Sequence, residues 1–401
     1  MKEITGGVTA PKGFKAAGVA ASIKPTSTKK DCAIIASDVP CAVAGVFTTN
    51  VMKAPCVHWN KTLVDRGSAQ AIFVNSGNAN AATGEPGMTD VKTTVAAVAR
   101  GLGIAPDSVA MSSTGVIGFP LPMDRIMNGV NGCLANLSTE GGHDAALAIM
   151  TTDTVPKEFA LEFPVSDGLI RIGAMAKGSG MIAPNMATML SYITTDAAVD
   201  SAPLQDLLRH AVNATYNCIC IDNDMSTSDT VLCLANGRSG TARLAPGTED
   251  FEKFSGAFLA VCGHMARQLV LDGEGATKFV VIDVAGATSD ADAQRVAKAI
   301  AHSHLCKTAF FGEDPNWGRI ACAAGYSGTV FNPSDLAIWL DRVQLVANGQ
   351  PTSYREEDAA AVMKQKEFGI RVELGSGPGT ATFWTTDLSH DYVSINADYR
   401  S

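Results

Sequence analysis

The chain has 401 residues, 46% of them hydrophobic, which is enough for one large buried core or two ordinary ones, so an organisation in two halves is expected. A formal net charge of -9 disfavours a nucleic-acid surface, which concentrates lysine and arginine, and points to a small-molecule partner. No run of about 18 apolar residues is present to span a membrane. The amino terminus MKEITGGVTAPKGFKAAG has neither the apolar stretch of a secretory signal nor the arginines of a transit peptide, so the cytoplasm is expected.

Short apolar runs alternate with alanine-rich helical patterns, the mark of a mixed α/β or α+β protein. In chain order, Ala71–Asn75 reads as a strand, and Asp90–Arg100 as a helix ending before Gly101 and Gly103. Leu169–Ala174 and Leu190–Thr194 read as strands. From Ser201, SAPLQDLLRHAVNA has a capping serine, an early proline and one apolar stripe of Leu204, Leu207, Leu208, Ala211 and Val212. Asn236–Gly247 is rich in turn residues. Phe279–Val284 reads as a strand, Asp290–Ala301 as a helix capped by Ser289, Tyr354–Lys366 as a charged surface insertion or helix, and Gly369–Leu374 as a further strand.

Ten cysteines are scattered in apolar surroundings without a CxxC pair, so they read as reduced core residues. His302 and His304 lack a third ligand nearby in sequence and read as surface or capping residues, and no metal site is expected. Three familiar motifs fail. KGSGMIAP lacks the order of a phosphate loop, and GSGPGT, Gly375–Thr380, precedes a strand-like run where a dinucleotide fingerprint needs a helix. DNDMSTSD, Asp222–Asp229, has the carboxylates of a calcium loop without its central glycine or closing glutamate, and reads as a structural polar turn.

KGSGMIAPNMATML, Lys177–Leu190, sets the hydroxyl of Thr188 among small residues beside one lysine. A threonine hydroxyl needs a base, and its own α-amino group is one if the backbone is cut between Ala187 and Thr188. That amine has a pKa of roughly 7.7–8.0, near neutral as a general base requires. The cut places Thr188 at the exposed start of the strand Leu190–Thr194, where a sheet would fix it. Lys177 has two readings, a holder of a substrate carboxylate or an ordinary solvated lysine. Thr151 and Thr152 in MTTDT supply hydrogen bonds, cap a helix or fill a turn.

Four further segments are dense in glycine and small polar residues: VNSGNANAATG (Val74–Gly84), SSTGVIG (Ser112–Gly118), LDGEGATK (Leu271–Lys278) and DPNWGRI (Asp314–Ile320). Each alone reads as a turn. Together they suggest a site in which the Thr114 hydroxyl and the Gly115 N–H face a developing oxyanion, and Glu274 receives an ammonium group.

These segments, with KTAFFGEDPNWGRI and the terminal NADYRS, occur in family order nearly end to end, and the chain resembles the ornithine acetyltransferases, or bifunctional glutamate N-acetyltransferases, of arginine biosynthesis. It departs from them in DNDMSTSD, where the family more often has DGDxSTND. The resemblance implies an α/β sandwich similar to that of a self-processing aminopeptidase group. It implies self-cleavage between Ala187 and Thr188, giving an α chain of 1–187 and a β chain of 188–401, usually assembled as α2β2 or larger. It further implies a ping-pong reaction through acetyl-Thr188, with N2-acetylornithine as donor, glutamate as acceptor and no metal or nucleotide cofactor. Oxyanion stabilisation then falls on Thr114 and Gly115, and substrate contacts on Thr151 (Thr152 as its neighbouring fallback), Lys177, Thr188, Glu274, Asn396 and Ser401. The residues do not fix whether acetyl-CoA is a second donor. A hydrolase of the related self-processing fold is the alternative.

Overall fold

Uncharged runs of β-branched and small apolar residues make the central strands, and covered sheet faces explain why those runs do not alternate with polar residues. The computed structural model describes residues 1–25, 27–183 and 189–398. Two units are distinguished: Met1–Gly178 with Asn185–Asn217 and Asp224–Leu269, and Ser179–Pro184 with Cys218–Asn223 and Val270–Ser401.

The first unit is built on one mixed sheet. Its strands run in the order Lys2–Glu3, Lys157–Val165, Gly168–Lys177, Leu190–Thr195, Thr230–Ala235, Cys32–Phe47, Ser68–Asn75 and Val109–Ser113, and Phe14–Val19 also pairs with Cys32–Phe47. Alternate side chains enter opposite cores: Cys32, Ile34, Ala71 and Phe73 on one face, Ala33, Ile35, Ile72 and Val74 on the other. Both Leu190–Thr195 and Thr230–Ala235 are buried at every residue. They pair in parallel, Leu190 opposite Thr230, while Leu190–Thr195 pairs antiparallel with Gly168–Lys177, Leu190 opposite Lys177. Residues 178–189 therefore connect two neighbouring strands of one sheet. The proposed cut falls inside that connection, so the pieces 1–187 and 188–401 would each contribute strands to this sheet.

The second unit carries a sheet in the order Gln350–Pro351, Val343–Ala347, Ala337–Leu340, Glu367–Glu373, Phe279–Gly286, Gly377–Thr386 and Ile219–Cys220. Here the pattern does alternate. Val280, Ile282 and Val284 are buried with Ala293, Val296, Ala297 and Ile300 of the helix Asp290–His302, whereas Asp283 is exposed.

The mixed α/β class and the expected strands are present, each within a few residues of its expected limits. Tyr354–Lys366 contains the helix Glu356–Met363. The helix expected at Asp90 begins at Gly84, because Pro86 and Gly87 lie in its first turn, and it ends at Gly103, whose φ of 69° lets its N–H reach the carbonyls of Ala99 and Arg100. Ser201 is not the cap of its helix: it is the first helical residue, preceded by the extended Asp200. The helix Glu249–Leu271 was not expected, since nothing in the turn-rich stretch before it announces its start. By length and composition it is apolar enough to cross a membrane, but Phe254, Phe258, Val261, Cys262, Met265 and Leu269 are buried inside the protein.

All ten cysteines are free thiols. Burial pushes Cys41 up to about 12 and Cys56 up to about 11, so these thiols stay protonated. Cys322 is exposed and Cys218 only half-buried, which corrects the core reading for those two. His302 is likewise no surface residue. It is half-buried, and burial, with the Lys298 charge, lowers it to about 4.

Ser289 caps Asp290–His302 by accepting the Asp292 N–H. Ser289→Ala should cost about 1 kcal/mol, read as a lower midpoint in denaturant unfolding.

Candidate active site

Within the first unit, two glycine-rich segments form one structure. Thr114 follows directly on the strand Val109–Ser113 and is 5% exposed, and its N–H donates to the Asn75 carbonyl at 3.0 Å. Asn75 accepts the Ser113 hydroxyl at 2.7 Å and donates to the Asn78 carbonyl at 2.9 Å. Asn78 in turn accepts the Asn80 N–H at 2.8 Å and donates to the carbonyl of Pro120 at 2.9 Å. The asparagines of VNSGNANAATG thus act as main-chain partners that hold the SSTGVIG turn. Gly115 has φ +128°, and a Cβ there would lie 2.4 Å from the carbonyl carbon of Gly77, so only glycine fits. A threonine hydroxyl held by this turn suits a donor to a bound oxygen.

Lys177 ends the strand Gly168–Lys177 and is 2% exposed, so the solvated-lysine reading is wrong for it. Its ammonium donates to the Thr151 hydroxyl at 3.3 Å; the neighbouring Thr152 is half-buried. Asp153, which the sequence reading passed over, organises this corner. Its Oδ1 accepts Lys157 Nζ at 2.6 Å and the Gly178 N–H at 2.7 Å, and its Oδ2 accepts the Thr151 N–H at 3.0 Å. Burial raises its pKa, but the charges of Lys157 and Lys177 outweigh that, so its carboxyl lies below the usual range and is ionised. Asp153 thus pairs with the buried Lys157 ammonium and also feels the charge of Lys177. The only sequence signal was an aspartate four residues before a lysine, a spacing common on any surface.

DNDMSTSD is indeed a polar segment without regular structure, and its terminal carboxylates hold main-chain N–H groups. In the second unit, Asp222 accepts the N–H groups of Met181 and Ile182, the latter at 2.8 Å. In the first, Asp229 accepts the Met189 N–H at 3.0 Å. The chain is therefore gripped on the amino-terminal and on the carboxy-terminal side of the expected cleavage point, each time by backbone hydrogen bonds to a carboxylate.

Glu274 and Asn396 meet in the second unit. Asn396 Nδ2 donates to Glu274 Oε2 at 2.8 Å, and the Glu274 N–H donates to the Ser179 carbonyl at 2.7 Å. A Cβ on Gly180 would lie 2.3 Å from the Glu274 carboxylate, so glycine is required for that approach. The supports are buried. Asp387 accepts the N–H groups of Thr277 and Lys278 at 2.8 and 2.9 Å, and Ser389, which caps the Asn396 helix, donates to the Gly275 carbonyl at 2.6 Å. Lys278 pairs with Glu313 at 2.8 Å, tying LDGEGATK to KTAFFGEDPNWGRI. DPNWGRI itself serves the fold, since Asn316 caps the helix Trp317–Gly325.

Thr188, Ala187 and Ser401 lie outside the described residues. The strand after Thr188 begins in the interior, not at an exposed edge, with Met189 and Leu190 at most 2% accessible, because the parallel strand Thr230–Ala235 and the antiparallel Gly168–Lys177 flank it. Among the described residues no group of three or more His, Cys, Asp or Glu is placed to hold a metal ion.

Such buried charges and donor-bearing loops define an α/β enzyme. The model of the ArgJ family matches residues 15–401, and the chain belongs to that family. The Arginine biosynthesis bifunctional protein ArgJ of Symbiobacterium thermophilum is 49% identical over 402 residues, 100% of each chain. The protein of the same name from Caldanaerobacter subterraneus subsp. tengcongensis is 46% identical over 405 residues, again 100% of each. The crystal structure of Arginine biosynthesis bifunctional protein ArgJ from Bacillus halodurans matches with a TM-score of 0.51 and 42% identity, over 52% of this chain and 99% of that one.

Asp153→Asn should lower stability at pH 7 by about 3 kcal/mol, because it removes the carboxylate ion-paired with the buried Lys157 ammonium. The native pKa is the lower one, so the unfolded state binds more protons and this contribution is complete above about pH 4 and lost as pH falls through the native value. Urea unfolding at several pH values checks both the loss and its absence from the variant's acid profile.

Proposed function

We propose that this protein is the acetyltransferase of arginine biosynthesis that moves acetyl from N2-acetylornithine to glutamate through acetyl-Thr188, after cutting itself between Ala187 and Thr188. The observation that carries the reading is the register of Lys177 opposite Leu190, which makes the strands on either side of residues 178–189 neighbours in one sheet. A cut there releases an amino terminus without dismantling the sheet. The half-length Bacillus halodurans chain, matched over 99% of itself by 52% of this one, supports the same reading.

The chemistry follows from the groups present. The α-amine of Thr188 takes the hydroxyl proton as Oγ1 attacks the acetyl carbonyl, and the Thr114 hydroxyl and Gly115 N–H receive the oxyanion. The C–N bond of the donor breaks, the amine returns its proton to the leaving ornithine, and the acetyl group remains as an ester. Glutamate attacks that ester, a C–N bond forms, and Thr188 is restored. Lys177, with Thr151, suits the α-carboxylate shared by both substrates, and Glu274, with Asn396, suits the ornithine ammonium. Ser401 would add a contact at the carboxyl terminus. The relatives are named bifunctional, which supports acetyl-CoA as a second donor; N-acetylglutamate formed from acetyl-CoA and glutamate alone tests it. Assembly as α2β2 and a cytoplasmic setting accompany this reading.

Intact-mass analysis should find pieces of 1–187 and 188–401, and Thr188→Ala should leave one uncut, inactive chain; ornithine release by that variant would remove Thr188 from the mechanism. Release of ornithine at the same rate without glutamate, and no N-acetylglutamate with it, would make the protein a hydrolase. Thr114→Ala should slow turnover by roughly 10²-fold or more through the lost oxyanion donor.

A further inference from the structure

The helix His390–Ala397 of the second unit has little to hold it in place by burial. An eight-residue helix is marginal by itself, and this one leaves Val393 63% and Ile395 37% exposed. Among its residues, all of them described, Tyr392 alone is not exposed. Polar contacts within the same unit seat it instead. Ser389, just before the helix, accepts the Tyr392 N–H and donates to the Gly275 carbonyl at 2.6 Å. A Cβ on Gly275 would lie 2.5 Å from the Tyr392 nitrogen, so the first turn sits directly on the loop that carries Glu274. The Tyr392 hydroxyl donates to Asp222 Oδ2 at 3.2 Å, and the same carboxylate accepts the Met181 and Ile182 N–H groups.

Asn396 lies four residues from Tyr392, on the same face of the helix. Its amide has two N–H donors, and they go to Glu274 Oε2 at 2.8 Å and to the Tyr392 carbonyl at 3.0 Å. Both partners are acceptors, so the nitrogen faces them and Oδ1 is the atom that can accept. A carboxylate and an amide oxygen linked in this way suit an ammonium group, which has three N–H donors and no acceptor.

We infer that Tyr392 is a positioning residue for the ammonium end of the donor substrate. Through its hydroxyl on Asp222 it fixes the helix so that Asn396 stays on Glu274 and the two side chains take the ammonium together. The inference rests on the assignment of Glu274 to the ornithine ammonium made above. Glutamate, the acceptor, has no side-chain ammonium, so the Tyr392 hydroxyl matters for one substrate and not for the other.

In a ping-pong reaction kcat/KM for each substrate reports its own half-reaction, which separates the two effects. Tyr392→Phe, made in the whole protein, keeps the ring and removes the hydroxyl. It should lower kcat/KM for N2-acetylornithine by about tenfold, the equivalent of one hydrogen bond to a charged group, and leave that for glutamate unchanged. In an Asn396→Ala background the same change should cost nothing further, because its route to the substrate is already lost. Equal losses for the two substrates assign Tyr392 to folding alone and overturn the proposal, as does an additive loss in the double variant or no loss in Tyr392→Phe. An unchanged kcat/KM for N2-acetylornithine in Glu274→Gln would defeat the ammonium assignment itself, an outcome separate from a loss in Glu274→Gln with none in Tyr392→Phe.

Discussion

The pairing of Leu190 with Lys177 and with Thr230 is the constraint on which the rest depends. It puts three chain segments, far apart in sequence, at one level of a buried sheet. Lys177 arrives at the end of one strand, Asp229 just before the start of another, and Met189 just before the strand between them. None of the three can move independently, because each is carried by a ladder of backbone hydrogen bonds in a fully covered layer.

Charge is then distributed on that rigid frame. Asp153 collects Lys157, the Gly178 N–H and the Thr151 N–H, so it anchors both the strand end that carries Lys177 and the threonine to which Lys177 donates. Buried ammonium groups are costly unless a carboxylate accompanies them, and Asp153 supplies one to Lys157. Asp229, a second buried carboxyl, accepts the Met189 N–H. Around Glu274 the logic is steric as much as electrostatic. Gly180 leaves room for the carboxylate, and Asp387 and Ser389 fix the loop behind it.

Much of the candidate site could be named from the sequence because its residue types are unusual together. SST followed by a glycine, a lysine before a glycine pair and a glutamate between glycines are each weak signs, and they gain meaning by recurring in one chain. The supporting residues were less legible. Asp153 sits in MTTDT, which reads as a turn or cap, and Asp387 sits in a plain TTDLS; each acts through backbone N–H groups of a different segment. DNDMSTSD was read correctly as a polar segment, yet nothing local announces that its two end carboxylates hold main-chain groups some 40 residues earlier. Contacts of that sequence separation leave no periodic trace in either partner.

By itself the sequence determined the α/β class, the principal strands and helices, and the candidates Thr114, Gly115, Lys177 and Glu274, because apolar periodicity and special backbone requirements are local properties. Only the tertiary structure decided that Lys177 is buried and not solvated, that Asp153 and Asp229 belong to the same sheet region, and that the connection 178–189 joins neighbouring strands. Burial and strand order are set by which segments pack together, and a charge changes its meaning with both: the same aspartate is a solvated surface group in water and an ion-pair anchor inside the protein.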